Sequence, residues 1–291
     1  MSKKIHLFIV DPQNSFCKVI DPALQQLVHD GELCVPGAWE DMTRVASFVH
    51  RFGKHLNDIH VTLDSHHLLH IANPLWFRDS NGNHPEPFTT MCLKNGSIIG
   101  SKTDANGKQS DIGEYVCFAP FIQKGTVKYL KALASTGRYS HCIWPPHCLI
   151  GTPGHNVAPQ LMEALLDWAG RMCGFLNFIT KGSNAFFEHF SAICAGVPDP
   201  NDPSTQLYMP LIRLLIEADE ILFAGEPGSH TLAETVRDVA NSFRDDSLIA
   251  KCGLLLDCMS PLPGFETHQE RFINEMAGRG MRMTTTVEYL A

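Results

Sequence analysis

The chain has 291 residues, of which 44% are hydrophobic and 19% charged, a composition typical of globular proteins and unlike that of disordered, collagen-like or coiled-coil chains. Acidic residues outnumber basic ones by 31 to 23, and the formal net charge is −8. Because lysine and arginine form no run in the sequence, we expect neither nucleic acid nor a membrane surface as a partner.

Short apolar segments alternate with helical patterns along the chain. Segments typical of buried parallel strands are 5–10, 58–63, 141–144, 175–179, 221–224, 253–256 and 281–285. Segments with apolar residues three and four positions apart, which predict helices, are 39–52, 127–133, 158–172, 205–218, 232–243 and 268–275. This alternation predicts an α/β protein whose parallel sheet is covered by helices on both faces.

Residues 71–139 form the least regular part of the sequence, with several Asn-Gly turn signals of which the first is at Asn81. We interpret residues 1–291 as a single domain and residues 71–139 as a long insertion within it. The insertion is predicted to act as a lid or as a contact in a homo-oligomer, and the sequence does not decide between these two roles.

The cysteines and the N-terminus indicate the cellular compartment. None of the ten cysteines stands in a CxxC pair, so a zinc site made of thiolates is poorly supported. The first apolar run covers only residues 5–10, which is too short for the core of a signal peptide. We therefore expect reduced thiols and a cytoplasmic protein.

Polar residues at the carboxyl ends of the predicted strands are the first candidates for chemistry, because ligands of open parallel sheets bind there. They are Asp11, Asp64, His66, His147, Lys181 and the turn 226–231. An aspartate in an apolar setting, such as Asp11 in FIVDPQNSF, can serve as general acid or base. A loop carboxylate that caps the next segment is the simpler interpretation of the same pattern.

The segment DSHHLLH places Asp64 and His66 one residue apart, and His70 follows four positions later. Carboxylate and imidazole groups together suit Zn²⁺, Mn²⁺ or Fe²⁺, although a solvated loop rich in histidine explains this segment equally well. Two prolines stiffen the approach to His147, as a metal ligand distant in sequence requires. A turn with a capping histidine is the alternative for His147.

Two further residues have both a catalytic and a structural interpretation. Lys181, which is followed by glycine, can lower the pKa of a neighbouring nucleophile or stabilise an anion, but most lysines are merely solvated. Thr231 opens a predicted helix, where the helix dipole favours a nucleophile and turn amides can form an oxyanion hole. The same threonine can instead cap the helix.

Taken in order, the motifs DPQNSF, DSHHLLH, WPPHCLIGTPG, TKG and AGEPGSH resemble those of the isochorismatase-like cysteine hydrolases, most closely the nicotinamidase branch. The resemblance runs from residue 5 to about residue 289. It implies a doubly wound, Rossmann-like sheet of six parallel strands flanked by helices. It also implies one divalent transition metal (Zn, Fe or Mn) held by Asp64, His66 and His147, with His70 as a further ligand or a neighbour.

The resemblance also implies the ligand and the catalytic groups. The expected substrate is a small nicotinamide-like aromatic amide, and the aromatic residues at the matching positions are Phe16 and Trp144, with Trp76 as an addition to that wall. Asp11 and Lys181 match two members of the family's catalytic set. The third member is a cysteine, and this sequence has Thr231 at its position, where a hydroxyl is a far weaker nucleophile than a thiolate.

A second departure lies four residues before Thr231. The resemblance implies that the residue at the position of Pro227 gives a backbone N–H to the oxyanion hole, and proline has none. Loss of one such donor can slow a reaction by ~10²–10³-fold. The family's turn also contains a cis peptide bond, which Glu226–Pro227 could adopt at low cost.

The residues and the resemblance together predict a metal-dependent, nicotinamidase-like hydrolase of a small amide, with activity weakened or lost through Thr231 and Pro227. One alternative is a catalytically inactive homologue that binds a metal and a ligand. Another is a cysteine-independent hydrolase of the isochorismatase type, with Asp11 as general acid. That branch lacks the metal residues, which this sequence keeps, and it ranks last.

Overall fold

The computed structural model describes residues 3–21, 26–104, 106–243 and 245–290. The strands are β1 (Ile5–Val10), β2 (Lys18–Asp21), β3 (Gln26–Asp30), β4 (Leu56–Asp64), β5 (Phe77–Arg78), β6 (Thr90–Lys94), β7 (Ser97–Thr103), β8 (Gln109–Cys117), β9 (His141–Cys142), β10 (Leu176–Lys181), β11 (Glu220–Gly225), β12 (Cys252–Leu255) and β13 (Arg282–Thr284). The α-helices are α1 (Ala38–Phe52), α2 (Pro120–Thr136), α3 (Pro159–Met172), α4 (Met209–Glu217), α5 (Thr231–Ser242) and α6 (Glu266–Gly278).

A parallel sheet of six strands, in the order β10-β4-β1-β11-β12-β13, forms the centre of the described structure. Its middle strands are continuous apolar runs because both faces of the sheet are buried. Leu7 and Ile9 pack into one core with α1 and α3, whereas Phe8 and Val10 pack into a second core with α4, α5 and α6. The doubly wound fold with six parallel strands is therefore confirmed.

Much of the predicted insertion forms a second, antiparallel sheet rather than irregular chain. Its strand order is β5-β8-β7-β6-β9, and α2 packs against it around Trp76, Tyr115 and Tyr129. The hairpin of β6 and β7 turns at Asn95 and Gly96, which both have positive φ angles (51° and 87°), as a two-residue hairpin loop requires. The Asn-Gly signal at this position thus marks a tight hairpin.

The prediction that residues 141–144 form a strand of the parallel sheet is wrong. His141 and Cys142 form β9, which pairs antiparallel with β6 in the second sheet. The strand cannot continue far, because Pro145 and Pro146 follow closely and have no N–H to donate to a neighbouring strand. The other six predicted strands and all six predicted helices are present, with ends shifted by at most seven residues.

The hairpin of β2 and β3 was not predicted from the sequence. Its second strand is largely exposed, so it lacks the alternation of buried and exposed residues that indicates a strand.

The ten cysteines are all free thiols. Among the described helices, none combines the length and the apolar character that a membrane crossing requires.

Candidate active site

Three charged side chains meet at the carboxyl ends of neighbouring strands. Asp11 follows β1, Asp64 ends β4 and Lys181 ends β10, where it is paired in register with Asp64. The Lys181 Nζ atom lies 2.9 Å from Asp11 Oδ2 and 2.9 Å from Asp64 Oδ1. All three residues are buried, so a single lysine pairs with two buried carboxylates, and its one positive charge offsets only one of them.

This arrangement shifts the pKa values of the three groups in different directions. Burial disfavours the charged form of Lys181, but Asp11 and Asp64 outweigh it and raise the pKa of the ammonium group. Burial also opposes the charge on Asp64, yet His66 and Lys181 hold the pKa of its carboxyl well below its usual range. Burial of Asp11 exceeds the attraction of Lys181 and raises the pKa of this carboxyl. Asp11 is therefore suited to exchange a proton as a general acid or base.

Asp64 also faces His66 and His147 with its second oxygen. Asp64 Oδ2 lies 3.0 Å from His66 Nε2 and 3.6 Å from His147 Nε2. Each histidine has its other ring nitrogen at a backbone carbonyl: His66 Nδ1 lies 3.2 Å from the oxygen of Gly182, and His147 Nδ1 lies 2.8 Å from that of Pro145. A carbonyl only accepts, so both Nδ1 atoms carry a proton, and in the neutral form of each ring Nε2 then has a lone pair for a metal ion.

The donor set fits a divalent transition metal. One carboxylate oxygen and two imidazole nitrogens lie within 4.8 Å of one another, and three converging acceptors in a buried site need a cation between them. Metal-binding histidines commonly donate their second N–H to a backbone carbonyl, as His66 and His147 do here. Gly182 has a positive φ, and a Cβ atom there would lie 2.8 Å from Asp64 Oδ1, so glycine permits this close approach.

His70 lies beside this group rather than within it. Its ring centroid is 4.5 Å from that of His66, and its Nδ1 accepts a hydrogen bond from the N–H of Ala72 at 3.2 Å. Its Nε2 is buried without a hydrogen-bond partner among the described residues. Burial keeps the pKa of His70 well below its usual value, so the ring is neutral and its role as a further ligand stays a prediction.

A small cavity opens beside the metal group. Its walls combine apolar and polar side chains. The lining residues are Phe16, Leu33, Asp64, His66, Trp144, His147, Glu188, Phe190, Pro227, His230, Thr231 and Leu262. About 20 Å³ is open to the centre of a water molecule, which is room for about one water. A planar aromatic ligand therefore requires wall side chains to move. A larger groove of about 780 Å³ beside α3 contains none of the predicted site residues.

Two of the three predicted aromatic residues lie at the cavity. Phe16 and Trp144 line it, and the Phe16 ring packs against His147 with 5.6 Å between centroids. Trp76 does not line the cavity: it is buried in the core of the second sheet, where its indole N–H donates to Thr126 Oγ1 at 3.1 Å. The prediction for Trp76 is therefore corrected, because the unpredicted antiparallel sheet provides another apolar environment for this side chain.

Thr231 is the first residue of α5 and lines the cavity. Its hydroxyl donates to the backbone carbonyl of Glu226, so its proton is used within its own turn. Pro227 also lines the cavity, and it can offer no N–H there. The expected cis bond before Pro227 is absent, since no peptide bond among the described residues is cis.

The Glu226 side chain points away from the cavity that Pro227 and Thr231 line. Its Oε2 accepts a hydrogen bond from the N–H of Ser260 at 3.2 Å, and the carboxyl is completely buried next to Asp41. Burial, together with Asp41, raises the pKa of this carboxyl well above its usual value. Glu226 therefore anchors the turn from behind and is held in its neutral form.

Sequence reasoning missed Glu188, which lines the same cavity as Asp64 and His66. It is only 3% exposed. Its Oε1 accepts a hydrogen bond from the N–H of His189 at 3.0 Å, whereas Oε2 has no partner among the described residues. The signal was present in the sequence, because Glu188 and His189 interrupt the otherwise apolar segment 185–190. A buried acidic residue of this kind offers an acceptor to a ligand.

No protein-family model and no curated protein sequence matches the chain, but solved structures do. The yeast nicotinamidase Pnc1p bound to the inhibitor nicotinaldehyde is 18% identical, with 97% of this chain and 99% of that chain covered and a TM-score of 0.59. A nicotinamidase/pyrazinamidase from Acinetobacter baumanii is 18% identical, with 99% and 98% covered and a TM-score of 0.58. A pyrazinamidase from Pyrococcus horikoshii in complex with zinc is 16% identical, with 97% and 99% covered and a TM-score of 0.52.

These identities are too low to transfer an activity, but the coverage of nearly all of each chain establishes the architecture. The protein therefore has the fold that these nicotinamidase and pyrazinamidase structures share. The resemblance first drawn from five short motifs is thus confirmed at the level of the fold.

Proposed function

We propose that the protein is a metal-dependent hydrolase of a small nicotinamide-like amide, which releases the acid and ammonia slowly. The observation that carries this proposal is the position of Asp64, whose two oxygens face the histidine pair and Lys181. One carboxylate thereby joins a metal-ligand group to a buried acid–base pair. Neighbouring structures with the same fold are nicotinamidases and pyrazinamidases, one of them with zinc.

Asp64, His66 and His147 would hold the metal, with Zn²⁺, Fe²⁺ and Mn²⁺ as candidates. When bound, such an ion supplies a Lewis acid that positions and polarises the substrate. Phe16 and Trp144 line the cavity, and we assign them to the two sides of the aromatic ring. Glu188 gives the ligand a buried acceptor on the same wall.

We assign the proton transfers to Asp11 and the stabilisation of its charge to Lys181, which lies 2.9 Å away. Because the Thr231 hydroxyl donates to the carbonyl of Glu226, we propose water, activated through Asp11, as the attacking group. Attack by water forms the C–O bond, the C–N bond breaks, and the proton taken by Asp11 passes to the departing amine. Without a thiolate and without an N–H at Pro227, turnover is expected to be slow.

A second candidate is a protein that binds the metal and the ligand without turnover. The specific observation in its favour is that Thr231, at the position of the family's nucleophile, uses its hydroxyl proton within its own turn. The second sheet would then serve recognition, and Phe88 already packs edge-on against Trp144 with 5.9 Å between ring centroids. This contact supports the interpretation of residues 71–139 as a lid, with an oligomer contact as the alternative.

Ammonia release from nicotinamide by protein loaded with Zn²⁺ or Mn²⁺ separates these candidates. Slow release by the wild-type chain that disappears in Asp11→Asn supports the hydrolase. Release only by Thr231→Cys supports the binding protein, whose scaffold is dormant. If neither the wild type nor Thr231→Cys releases ammonia, the amidase proposal is wrong.

We also propose a cytoplasmic location and a homo-oligomeric state. The free thiols fit a reducing compartment. Sedimentation of the purified protein tests the oligomer, and fractionation of its native cells tests the location.

A further inference from the structure

The loop that carries His147 is fixed by a side chain from the first motif. Ser15 is fully buried, and its Oγ accepts a hydrogen bond from the N–H of Cys148 at 2.8 Å. The same Oγ donates to Glu32 Oε2 at 2.6 Å. A hydroxyl has one proton and a carboxylate only accepts, so the direction of this chain of hydrogen bonds is set, from Cys148 through Ser15 to Glu32.

Cys148 connects the two histidine segments of the metal group. It follows His147 directly, and its carbonyl accepts a hydrogen bond from the N–H of His66 at 3.1 Å. Its φ angle is +48°, a conformation that a residue other than glycine adopts only at some cost. The hydrogen bond from the N–H of Cys148 to Ser15 therefore holds this strained residue in place. In that position its backbone aligns both His66 and His147.

Gly154 lies directly against the contact between Ser15 and Glu32. A Cβ atom added at Gly154 would lie 2.4 Å from Ser15 Oγ and 2.7 Å from Glu32 Oε2. The backbone adds a further constraint, since Leu33 donates its N–H to the carbonyl of Ser15 at 3.0 Å. This bond ties the residue after Glu32 to the first motif. Glycine at position 154 therefore leaves the space that the contact between Ser15 and Glu32 occupies.

We propose that Ser15 and Glu32 are positioning residues for the metal site, through the backbone of Cys148. This inference rests on the proposed function, because it concerns the metal that Asp64, His66 and His147 would bind. Glu32 polarises the Ser15 hydroxyl and fixes its rotamer, and Ser15 in turn fixes the peptide between the two histidine segments. Loss of such an outer partner commonly weakens metal binding by about 10–100-fold.

The affinity of the metal-free protein for Co²⁺ and Zn²⁺, measured by competition with a chromophoric chelator, tests this inference. We expect Ser15→Ala to weaken binding by about 10–100-fold and to change the visible spectrum of the Co²⁺ form at saturation, because the ligand geometry changes. Glu32→Gln should show a smaller effect in the same direction, since glutamine keeps an acceptor oxygen but lacks the charge. Ser47→Ala, which removes an exposed hydroxyl of α1 bonded to the carbonyl of Thr43, is the matched control.

The outcomes distinguish this inference from the proposed function. Wild-type affinity and an unchanged Co²⁺ spectrum in both Ser15→Ala and Glu32→Gln would overturn the positioning role alone. A wild-type protein that binds neither ion would overturn the metal site itself and the inference with it. If Ser15→Ala does not fold, Glu32→Gln decides, because the Glu32 side chain is 37% exposed and its replacement leaves the core intact. Thermal unfolding of the metal-free variants separates a general loss of stability from a change in affinity.

Discussion

The cavity has two sides, which differ in the chemical groups that they present. The metal side, formed by Asp64, His66 and His147, has its ligand atoms within 4.8 Å of one another and a hydrogen-bond partner behind each histidine. The nucleophile turn, residues 226–231, leads from the end of β11 to the start of α5. It presents a threonine and a proline to the cavity. On the proposed function, the shape of the site is kept while its reacting groups differ, because backbone geometry depends on packing and catalysis depends on individual atoms.

Removing Asp64 has the largest expected effect, since this residue belongs both to the metal side and to the ion pair with Lys181. We expect Asp64→Ala to lose stoichiometric metal binding, as measured by elemental analysis after dialysis. Asp111→Asn removes an exposed carboxylate that is also paired with a lysine, Lys94, and should keep about one ion per chain. Full metal content in Asp64→Ala would show that the ion binds elsewhere.

Removing Lys181 should cost stability rather than metal directly. Lys181→Met leaves two buried carboxylates without their cation, and breaking a buried ion pair in this way lowers the free energy of unfolding by about 3–5 kcal/mol. Urea denaturation measures this change. Lys94→Met, at an exposed ion pair, should leave the unfolding midpoint nearly unchanged. Equal effects of the two substitutions would contradict the central role assigned to Lys181.

The nucleophile turn can be repaired in two steps. After Thr231→Cys supplies a thiol, Pro227→Ala restores a backbone N–H at the cavity wall, and one oxyanion donor is worth ~10²–10³-fold in kcat. We therefore expect the double variant to release ammonia from nicotinamide faster than Thr231→Cys by up to that factor. Pro227→Ala in the wild-type chain restores the same donor without the thiol, and it should also quicken the slow release of ammonia. A double variant no faster than Thr231→Cys would mean that this N–H does not face the reacting carbonyl.

The smallest expected effect is on the pH dependence of stability. Burial lowers the pKa of His230 from 6.5 to about 3, so its neutral form stabilises the fold above pH 6.5. That contribution is lost as the pH falls from 6.5 towards 3, with a slope of at most about 1.4 kcal/mol per pH unit for one proton. His230→Phe should therefore show a shallower decline than the wild type in urea denaturation at pH 4–7. Parallel curves would indicate that the pKa of His230 is the same in the folded and the unfolded chain.

Sequence reasoning located the parts of the site that follow from strand ends. The strands β1, β4 and β10 are visible as apolar runs, and the residues that end or follow them (Asp11, Asp64 and Lys181) converge because parallel strands finish at one edge. The order of these strands could not be derived from apolar runs, and the sequence analysis did not predict it.

Other parts depend on contacts that no local pattern encodes. Trp76 is an aromatic residue of the kind that lines a ligand cavity, yet it is buried in the core of the antiparallel sheet. Glu188 reaches the cavity from a loop without regular secondary structure. The half-exposed strands of the second sheet leave weak periodicity, which made residues 71–139 look irregular.

The most direct test of the account is the position of a bound metal. A crystal structure of the zinc-loaded protein, with anomalous diffraction at the zinc edge, should show one ion at about 2.0–2.2 Å from Asp64 Oδ2, His66 Nε2 and His147 Nε2. The anomalous peak is expected next to the cavity that Phe16 and Trp144 line. An anomalous map without a peak at these three residues would contradict the claim that the metal side of the site is intact.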